Sequence, residues 1–105
     1  MSNNILFSII INCKNGSNFL HKCLSSVQKQ TYKNWEVIFF DNFSTDNSKE
    51  ILHSFNEKKF KYYLNKEPTN LSIARNRAIQ LASGEYIAIL DHDDWWIEKK
   101  LESIN

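Results

Sequence analysis

The sequence predicts an α/β fold in which helices cover both faces of a mostly parallel sheet, a doubly wound arrangement. Two observations support this prediction. Short apolar segments alternate with segments of helical periodicity in the order β-α-β-α-β-α-β-α. Residues 5–11 and 35–40 are almost entirely apolar, which is typical of strands buried on both faces. Because 105 residues with 42% apolar side chains suffice for one core, we expect a single domain.

The first half of the chain predicts two strands and two helices. After the strand at 5–11, one helical stripe contains Phe19, Leu20, Cys23, Leu24 and Val27. Ser17 or Asn18 is the expected N-cap of this helix. The second strand, 35–40, stops at Asp41. Ser44 or Thr45 is then expected to open a helix whose core-facing residues are Ile51, Leu52 and Phe55.

The second half predicts a similar alternation. Residues 60–64 form a weaker strand, expected at a sheet edge. Pro68 marks a loop before a helix from about 71 to 82, which Gly84 closes. A fourth strand at 86–90 leads to a helix at 96–104 with Ile97, Leu101 and Ile104 on one side.

Composition excludes several classes of function. The formal charge of +1 offers no net field to attract nucleic acid. Cys13 and Cys23 are ten residues apart and form no metal-binding or redox pair, so both are expected to be small buried side chains. No apolar run reaches the roughly 20 residues needed to span a bilayer, and no secretion signal is evident, which predicts a cytoplasmic protein or one peripheral to the inner face of the membrane.

Three carboxylates follow the fourth predicted strand. Asp91, Asp93 and Asp94 place like charges close together, which costs free energy unless a cation or a ligand compensates. Mn²⁺ or Mg²⁺ would suit them, because these ions prefer a few carboxylates plus phosphate oxygens. The alternative is a solvated turn and helix N-terminus, where aspartate is favoured in any case.

The predicted topology brings the polar loops together. Ligands of open parallel α/β sheets bind outside the carboxyl ends of the strands. Residues 12–15, 41–46 and 91–94 should share that edge. The chain has only two glycines and no glycine-rich phosphate loop, so phosphates would be neutralised by a metal and by cations such as Arg75 and Arg77.

Five segments in the same order resemble the family-2 glycosyltransferases, which have the GT-A fold. They are the opening strand and loop FSIIINCKNG at 7–16, the segment SVQKQTYKNWEVI at 26–38, the acidic loop FDNFSTDNS at 40–48, the helix LSIARNRAI at 71–79, and the strand with its DxD motif at 84–94. Together they span nearly the whole chain. A Rossmann-like nucleotide-binding half of GT-A type is therefore the implied fold.

The resemblance implies site residues and ligands. It places the nucleotide, usually a uridine diphosphate, against Asn12, Asn15, Asp41, Asn42, Asp46, Arg75 and Asp91. It assigns Asp91 and Asp93 to Mn²⁺ or Mg²⁺, with Asp94 in a supporting role. The implied partners are a nucleotide-sugar donor and a saccharide or lipid-linked acceptor, and the metal assists departure of the diphosphate.

The sequence also departs from the family pattern. Asn12 stands where the family often has proline, Asn42 where a second aspartate is frequent, and Phe43 where glycine is frequent. The chain also stops in the helix after the DxD loop, before the half that holds the acceptor and the catalytic base. The resemblance therefore implies a donor-binding domain, with little transfer activity expected from this chain by itself.

Two alternatives stay open. The chain is either that donor-binding half or a non-catalytic nucleotide-binding or assembly module, completed by self-association or by another chain. A receiver-like signalling domain is a more remote alternative: Asp41 could serve as its phosphoacceptor, but no later strand supplies the required lysine.

Overall fold

The computed structural model describes residues 5–65, 67 and 69–104. Four strands and four helices alternate in the described residues. They are β1 (Phe7–Cys13), α1 (Ser17–Gln28), β2 (Trp35–Asp41), α2 (Ser48–Ser54), β3 (Phe60–Leu64), α3 (Leu71–Gln80), β4 (Tyr86–Ile89) and α4 (Lys100–Ile104). The predicted alternation is confirmed. Pro68, predicted to mark a loop, lies outside the described residues.

The strands form one sheet in the order β3-β2-β1-β4, and every pair is parallel. The doubly wound α/β prediction is therefore confirmed, and β3 lies at an edge as predicted. All residues of β2 are buried, and β1 is buried except at Asn12, because these central strands are covered on both faces.

Two apolar clusters lie on opposite faces of the sheet. The larger one joins Ile9 and Phe39 to α1, α2 and α4 through Leu24, Leu52 and Leu101. The smaller one packs Ala74 and Ala78 of α3 against Ile10, Ile38 and Phe40. Small alanines let α3 approach the sheet closely, which brings its first turn near the carboxyl ends of β1 and β2.

The predicted apolar stripe of α1 is confirmed at Leu20, Cys23, Leu24 and Val27, which are fully buried. It is wrong at Phe19, which is 53% exposed. Neither Ser17 nor Asn18 is the N-cap, because the helix follows Gly16 and has no side-chain cap of its own.

The predicted starts of α2 and α4 are wrong for the same physical reason. Backbone N–H groups of residues 44–46 donate to side chains of preceding loops instead of starting a helix. Similarly, the carbonyl groups of Ile97 and Glu98 accept hydrogen bonds from Gln30 and Thr31. The chain is thereby held against the end of α1 until α4 begins at Lys100. Ile97 and Ile104 are exposed, so only Leu101 of that predicted face is buried.

A buried carboxylate fixes the entry to β4. Glu36 of β2 accepts hydrogen bonds from Ser8 Oγ at 2.6 Å, from Ser83 N at 2.7 Å and from Lys61 Nζ at 2.7 Å. Desolvation is the largest single influence on the pKa of Glu36 and raises it, but the bonds from Lys61, Ser8 and Ser83 together lower the pKa below its usual value. The residues before β4 are thus held at the level of β1 and β2.

Gly84 has a different role from the predicted one. The residue that ends α3 is Leu81, and Gly84 follows three positions later. A Cβ atom on Gly84 would lie 2.5 Å from Ser8 Oγ and 2.6 Å from the backbone oxygen of Leu6. The glycine therefore permits close approach of this turn to β1.

We expect Gly84→Ala to lower the free energy of unfolding by about 1–3 kcal/mol, because backbone atoms must move to accept the methyl group. Urea denaturation followed by circular dichroism measures the loss. Ser72→Ala, at an exposed position of α3, is the matched control and should change stability by less than about 0.5 kcal/mol. Equal stability of Gly84→Ala and the unmodified chain would contradict the role given to this glycine.

Candidate nucleotide and metal site

The carboxyl ends of β1, β2 and β4 surround one cavity of about 330 Å³. Its polar lining comes from Asn12, Asn42, Lys14 and the turn residues Asp91, His92 and Asp93. The first turn of α3 adds an apolar wall of Leu71 and Ala74. The three loops predicted to converge, residues 12–15, 41–46 and 91–94, therefore each contribute to this cavity.

Asn12 has the most unusual environment in the cavity. Both its amide nitrogen and its amide oxygen are buried without a hydrogen-bond partner among the described residues. An unsatisfied buried amide costs on the order of 1–3 kcal/mol. A ligand that both donates and accepts at this point would remove that cost.

Asn42 also lines the cavity, but its amide is already engaged. Its Nδ2 donates to the backbone oxygen of Thr69 at 2.7 Å, and its Oδ1 accepts from Asn65 Nδ2 at 2.7 Å and from Thr69 N at 3.2 Å. Asn65 in turn accepts a hydrogen bond from Arg77 at 2.8 Å. These bonds hold the segment before α3 against the end of β2.

Asp41 is 2% exposed and is likewise bonded within the chain. Its Oδ1 accepts from Ser44 N at 2.8 Å, and its Oδ2 accepts from the Tyr62 hydroxyl at 2.6 Å. Desolvation and this bond to Asp41 raise the pKa of Tyr62, so the hydroxyl stays a donor. The carboxylate holds the turn after β2 and lies outside the cavity lining.

Asn15 and Asp46 join the loops that follow β1 and β2. Asn15 Oδ1 accepts from Thr45 N at 2.7 Å and from Asp46 N at 3.3 Å. Asp46 accepts from Ser17 N, in the first turn of α1, and from the backbone and hydroxyl of Ser48, at the start of α2. One carboxylate therefore satisfies N–H groups at the start of two helices, where negative charge is favoured.

Phe43 adopts a left-handed backbone conformation with a φ of 62°. Glycine tolerates this region, but a bulky side chain is strained there by about 1–2 kcal/mol. The neighbouring turn bonds of Asp41 and Asn42 hold the loop in this shape. Glycine at this position would relieve that strain.

Asp91 and Asp93 face the cavity from the turn after β4. The Asp91 side chain is 65% exposed, and its Oδ1 lies 3.9 Å from Arg75 Nη2. Arg75 Nε is buried and has no hydrogen-bond partner among the described residues. Between the two acids, His92 also lines the cavity, and its Nδ1 lies 3.2 Å from the backbone oxygen of Asn12.

The carboxylates of this turn fit a hard divalent cation whose remaining ligands are phosphate oxygens. Across residues 5–65, 67 and 69–104, no group of three or more His, Cys, Asp or Glu side chains is arranged to hold a metal. Asp91 and Asp93 supply two exposed carboxylates on one turn, the number that Mg²⁺ commonly takes from a protein when phosphates complete its shell.

Several residues of the cavity lining were not predicted as site residues from the sequence, among them Lys14 and Cys13. Lys14 follows β1 directly and adds a cation to the cavity lining, and its position between Asn12 and Asn15 was the available signal. Cys13 lines the cavity while remaining 1% exposed. Burial raises the pKa of the Cys13 thiol, and burial together with neighbouring acids raises that of Cys23 to about 12. Both thiols are therefore protonated near neutral pH and serve in packing.

Comparison with known proteins identifies the family. A family model described as glycosyl transferase family 2 matches residues 8–104. The Escherichia coli UDP-Glc:alpha-D-GlcNAc-diphosphoundecaprenol beta-1,3-glucosyltransferase WfgD is 41% identical over 97 residues, covering 92% of this chain and 38% of the relative. The chain thus spans well under half of this relative's length.

Solved structures agree with that result. S. aureus TarS 1–349 in complex with UDP superposes with a TM-score of 0.89 at 26% identity, covering 95% of this chain and 31% of TarS. GalNAc-T7 with UDP, GalNAc and Mn²⁺ superposes with a TM-score of 0.76 at 27% identity, covering 88% and 19% of the two chains. The sheet and its helices therefore have the fold of the GT-A nucleotide-binding half.

The carboxylate of Asp46 should make acid stability depend on pH. Desolvation is the largest influence and raises its pKa, but the bonds from Ser48 and Ser17 outweigh it and lower the pKa to about 2, against an ordinary value of 3.8. The stabilisation is complete above pH 4 and is lost as the pH falls towards 2, because the unfolded chain binds the proton first.

We expect Asp46→Asn to lower the free energy of unfolding by about 1–2 kcal/mol at pH 7, and the difference from the unmodified chain to shrink below pH 3. Denaturant unfolding at several pH values measures both effects. Glu67→Gln, at an exposed loop position after β3, removes the same charge and should leave stability nearly unchanged. A difference that is constant from pH 7 to pH 2.5 would refute the assignment to Asp46 ionisation.

Proposed function

The chain belongs to glycosyl transferase family 2, and on that basis we propose that it is the donor-binding domain of a sugar-nucleotide glycosyltransferase. One observation carries the proposal: the buried, unpaired amide of Asn12 and the exposed carboxylates of Asp91 and Asp93 line a single cavity at the carboxyl edge of the sheet. Arg75 lies beside it, 3.9 Å from Asp91. Such a set binds a nucleoside diphosphate through its base and its phosphates.

In this proposal each residue of the chain has a defined task. Asn12 offers a donor and an acceptor to the edge of the nucleobase. Arg75 and Lys14 supply positive charge for the diphosphate. Asp91 and Asp93 would hold Mn²⁺ or Mg²⁺, and the bound ion would stabilise the negative charge that develops on the departing diphosphate. Asn15, Asp41, Asn42 and Asp46 keep the walls of the cavity in place.

The relatives guide the choice of substrate class. The name of WfgD specifies UDP-glucose and a diphosphoundecaprenol-linked acceptor, and TarS was solved with UDP. We propose a UDP-sugar as the donor and a hydroxyl of a saccharide or lipid-linked saccharide as the acceptor. The acceptor and the catalytic base would be bound outside this domain, so the chain by itself is expected to bind the donor without transferring the sugar.

Isothermal titration calorimetry tests the donor proposal. UDP added to the chain in the presence of Mn²⁺ should release heat, and UDP without a divalent ion should bind at least about tenfold more weakly, because uncompensated acids face the diphosphate. Asp91→Ala and Asp93→Ala should each weaken metal-dependent binding by at least about tenfold. Glu85→Gln, at the opposite edge of the sheet, is the charge control and should bind as the unmodified chain does.

The proposal fails if the folded chain gives no heat with UDP or a UDP-sugar in either Mn²⁺ or Mg²⁺. It also fails if both aspartate variants bind like the unmodified chain. Circular dichroism of each variant separates a lost ligand from a lost fold.

A second candidate is an assembly module that another polypeptide completes. Among the strands that the structure describes, β4 pairs with β1 alone, and its Tyr86 and Ile89 are 46% and 40% exposed. Exposed apolar side chains on an edge strand favour association with a further strand.

Sedimentation velocity over a range of concentrations tests self-association through this edge. The assembly candidate expects a dimer that Ile89→Lys dissociates, because the lysine places a charge on the contacting surface. Leu81→Lys, which changes an exposed apolar residue at the end of α3, is the comparison variant. A monomer at all concentrations would leave the donor-binding proposal without this competitor.

A further inference from the structure

A second surface, next to the acidic turn, combines exposed apolar side chains with lysines. Trp95 is 48% exposed and Ile97 is 76% exposed. Together with Lys22 of α1 and Lys29 at its C-cap they line a shallow cleft of about 390 Å³. We refer to Lys22, Lys29, Trp95 and Ile97 as the Trp95 face.

The exposure of these apolar residues is fixed by backbone hydrogen bonds. Trp96 N donates to Ser26 Oγ at 3.1 Å, and the carbonyl of Ile97 accepts from Gln30 Nε2 at 2.7 Å. Gln30 is fully buried, so this anchor is part of the core. Trp96 turns inward onto the main apolar cluster, which leaves Trp95 and Ile97 on the outside. Trp96 therefore packs in the core, whereas Trp95 does not.

The charges of the Trp95 face are placed to meet an anionic partner. Lys22 Nζ lies 3.5 Å from the centre of the Trp95 ring, within cation–π distance. Lys29, at the C-cap position of α1, is also exposed. Glu98 is the one acid that lines the cleft. The charged residues that line the cleft are therefore two lysines and one glutamate, a local excess of one positive charge.

Tryptophan, an aliphatic side chain and lysines on one surface have the chemistry of the bilayer interface. Indole rings prefer the headgroup level, aliphatic side chains enter the acyl boundary, and lysines extend to anionic headgroups. Each lysine close to such a surface contributes modest attraction, so several lysines and an apolar anchor are needed together. The Trp95 face provides both.

We propose that the Trp95 face docks the protein onto an anionic lipid bilayer. Asp94 Oδ1 accepts a hydrogen bond from Trp95 N at 2.8 Å, so the docking surface adjoins the acidic turn. The cavity would then open beside the headgroups. A lipid-linked acceptor would meet the donor there, a consequence that rests on the proposed function, whereas the docking itself does not.

Vesicle co-sedimentation of the 105-residue chain tests the docking. Vesicles of phosphatidylcholine with about 30% phosphatidylglycerol should pellet the protein, and pure phosphatidylcholine vesicles should not. Binding should fall steeply as salt is raised. Trp95 emission should shift to shorter wavelength on binding, since Trp35 is 3% exposed and Trp96 is partly buried in both states.

Two double variants separate the contributions. Lys22→Glu/Lys29→Glu should weaken partition into anionic vesicles at least about tenfold, because it reverses two charges. Trp95→Ser/Ile97→Ser should weaken it similarly by removing the apolar anchors. Lys49→Glu/Lys58→Glu makes the same charge change at exposed positions of α2 and the following loop and should retain nearly all binding.

Several outcomes would overturn the proposal. They are no binding to anionic vesicles, equal binding to neutral ones, or equal losses for the two lysine pairs. Concentration-dependent association without lipid that Trp95→Ser/Ile97→Ser abolishes would assign the face to a second copy of the chain instead. Because no nucleotide or metal is present, failure here leaves donor binding untouched, and failure of the calorimetric test leaves docking untouched.

Discussion

Parallel pairing of β1 with both β2 and β4 is the constraint on which the rest of the structure depends. Phe7 aligns with Trp35 on one side and with Tyr86 on the other, so three strands run in the same direction from the same level. Their carboxyl ends consequently meet at one edge, although they are separated by up to about 80 residues in the chain. Asn12, Asn42 and Asp91 share a cavity because of this registration. Glu36 and Gly84 maintain it at the opposite edge, where the chain enters β4.

The polar side chains at the carboxyl edge divide into two groups. The first group forms hydrogen bonds with neighbouring loops and helix starts, and its members are Asn15, Asp41, Asn42 and Asp46. Asn12, Arg75, Asp91 and Asp93 keep atoms that no described residue satisfies or that face solvent. The first group forms a rigid frame, and the second is available to a ligand. A site of this kind is preorganised, because its frame does not have to be rebuilt when a ligand binds.

The backbone of this frame is strained at Phe43. A left-handed conformation at a phenylalanine is unfavourable, yet the surrounding bonds of Asp41 and Asn42 determine the loop path. The segment after the acids follows the same logic: side chains of Ser26 and Gln30 capture its backbone and thereby expose Trp95 and Ile97. In both places a few side-chain-to-backbone bonds override the preference of the residue they hold.

Among the helices that the structure describes, none combines the length and the apolar content of a membrane span.

The sequence by itself determined the order of elements, the parallel sheet, the edge position of β3 and the convergence of the three polar loops. It could do so because buried strands and helical stripes leave periodic apolar patterns, and parallel strands impose a common edge. Only the tertiary structure decided which polar residues are occupied by the fold and which remain free, since Asp41 and Asn12 look equally available in the sequence. It also decided where α2 and α4 begin and that Trp95 faces outward. Those outcomes depend on hydrogen bonds between residues about 30 to 70 positions apart, and such bonds leave no local pattern in the chain.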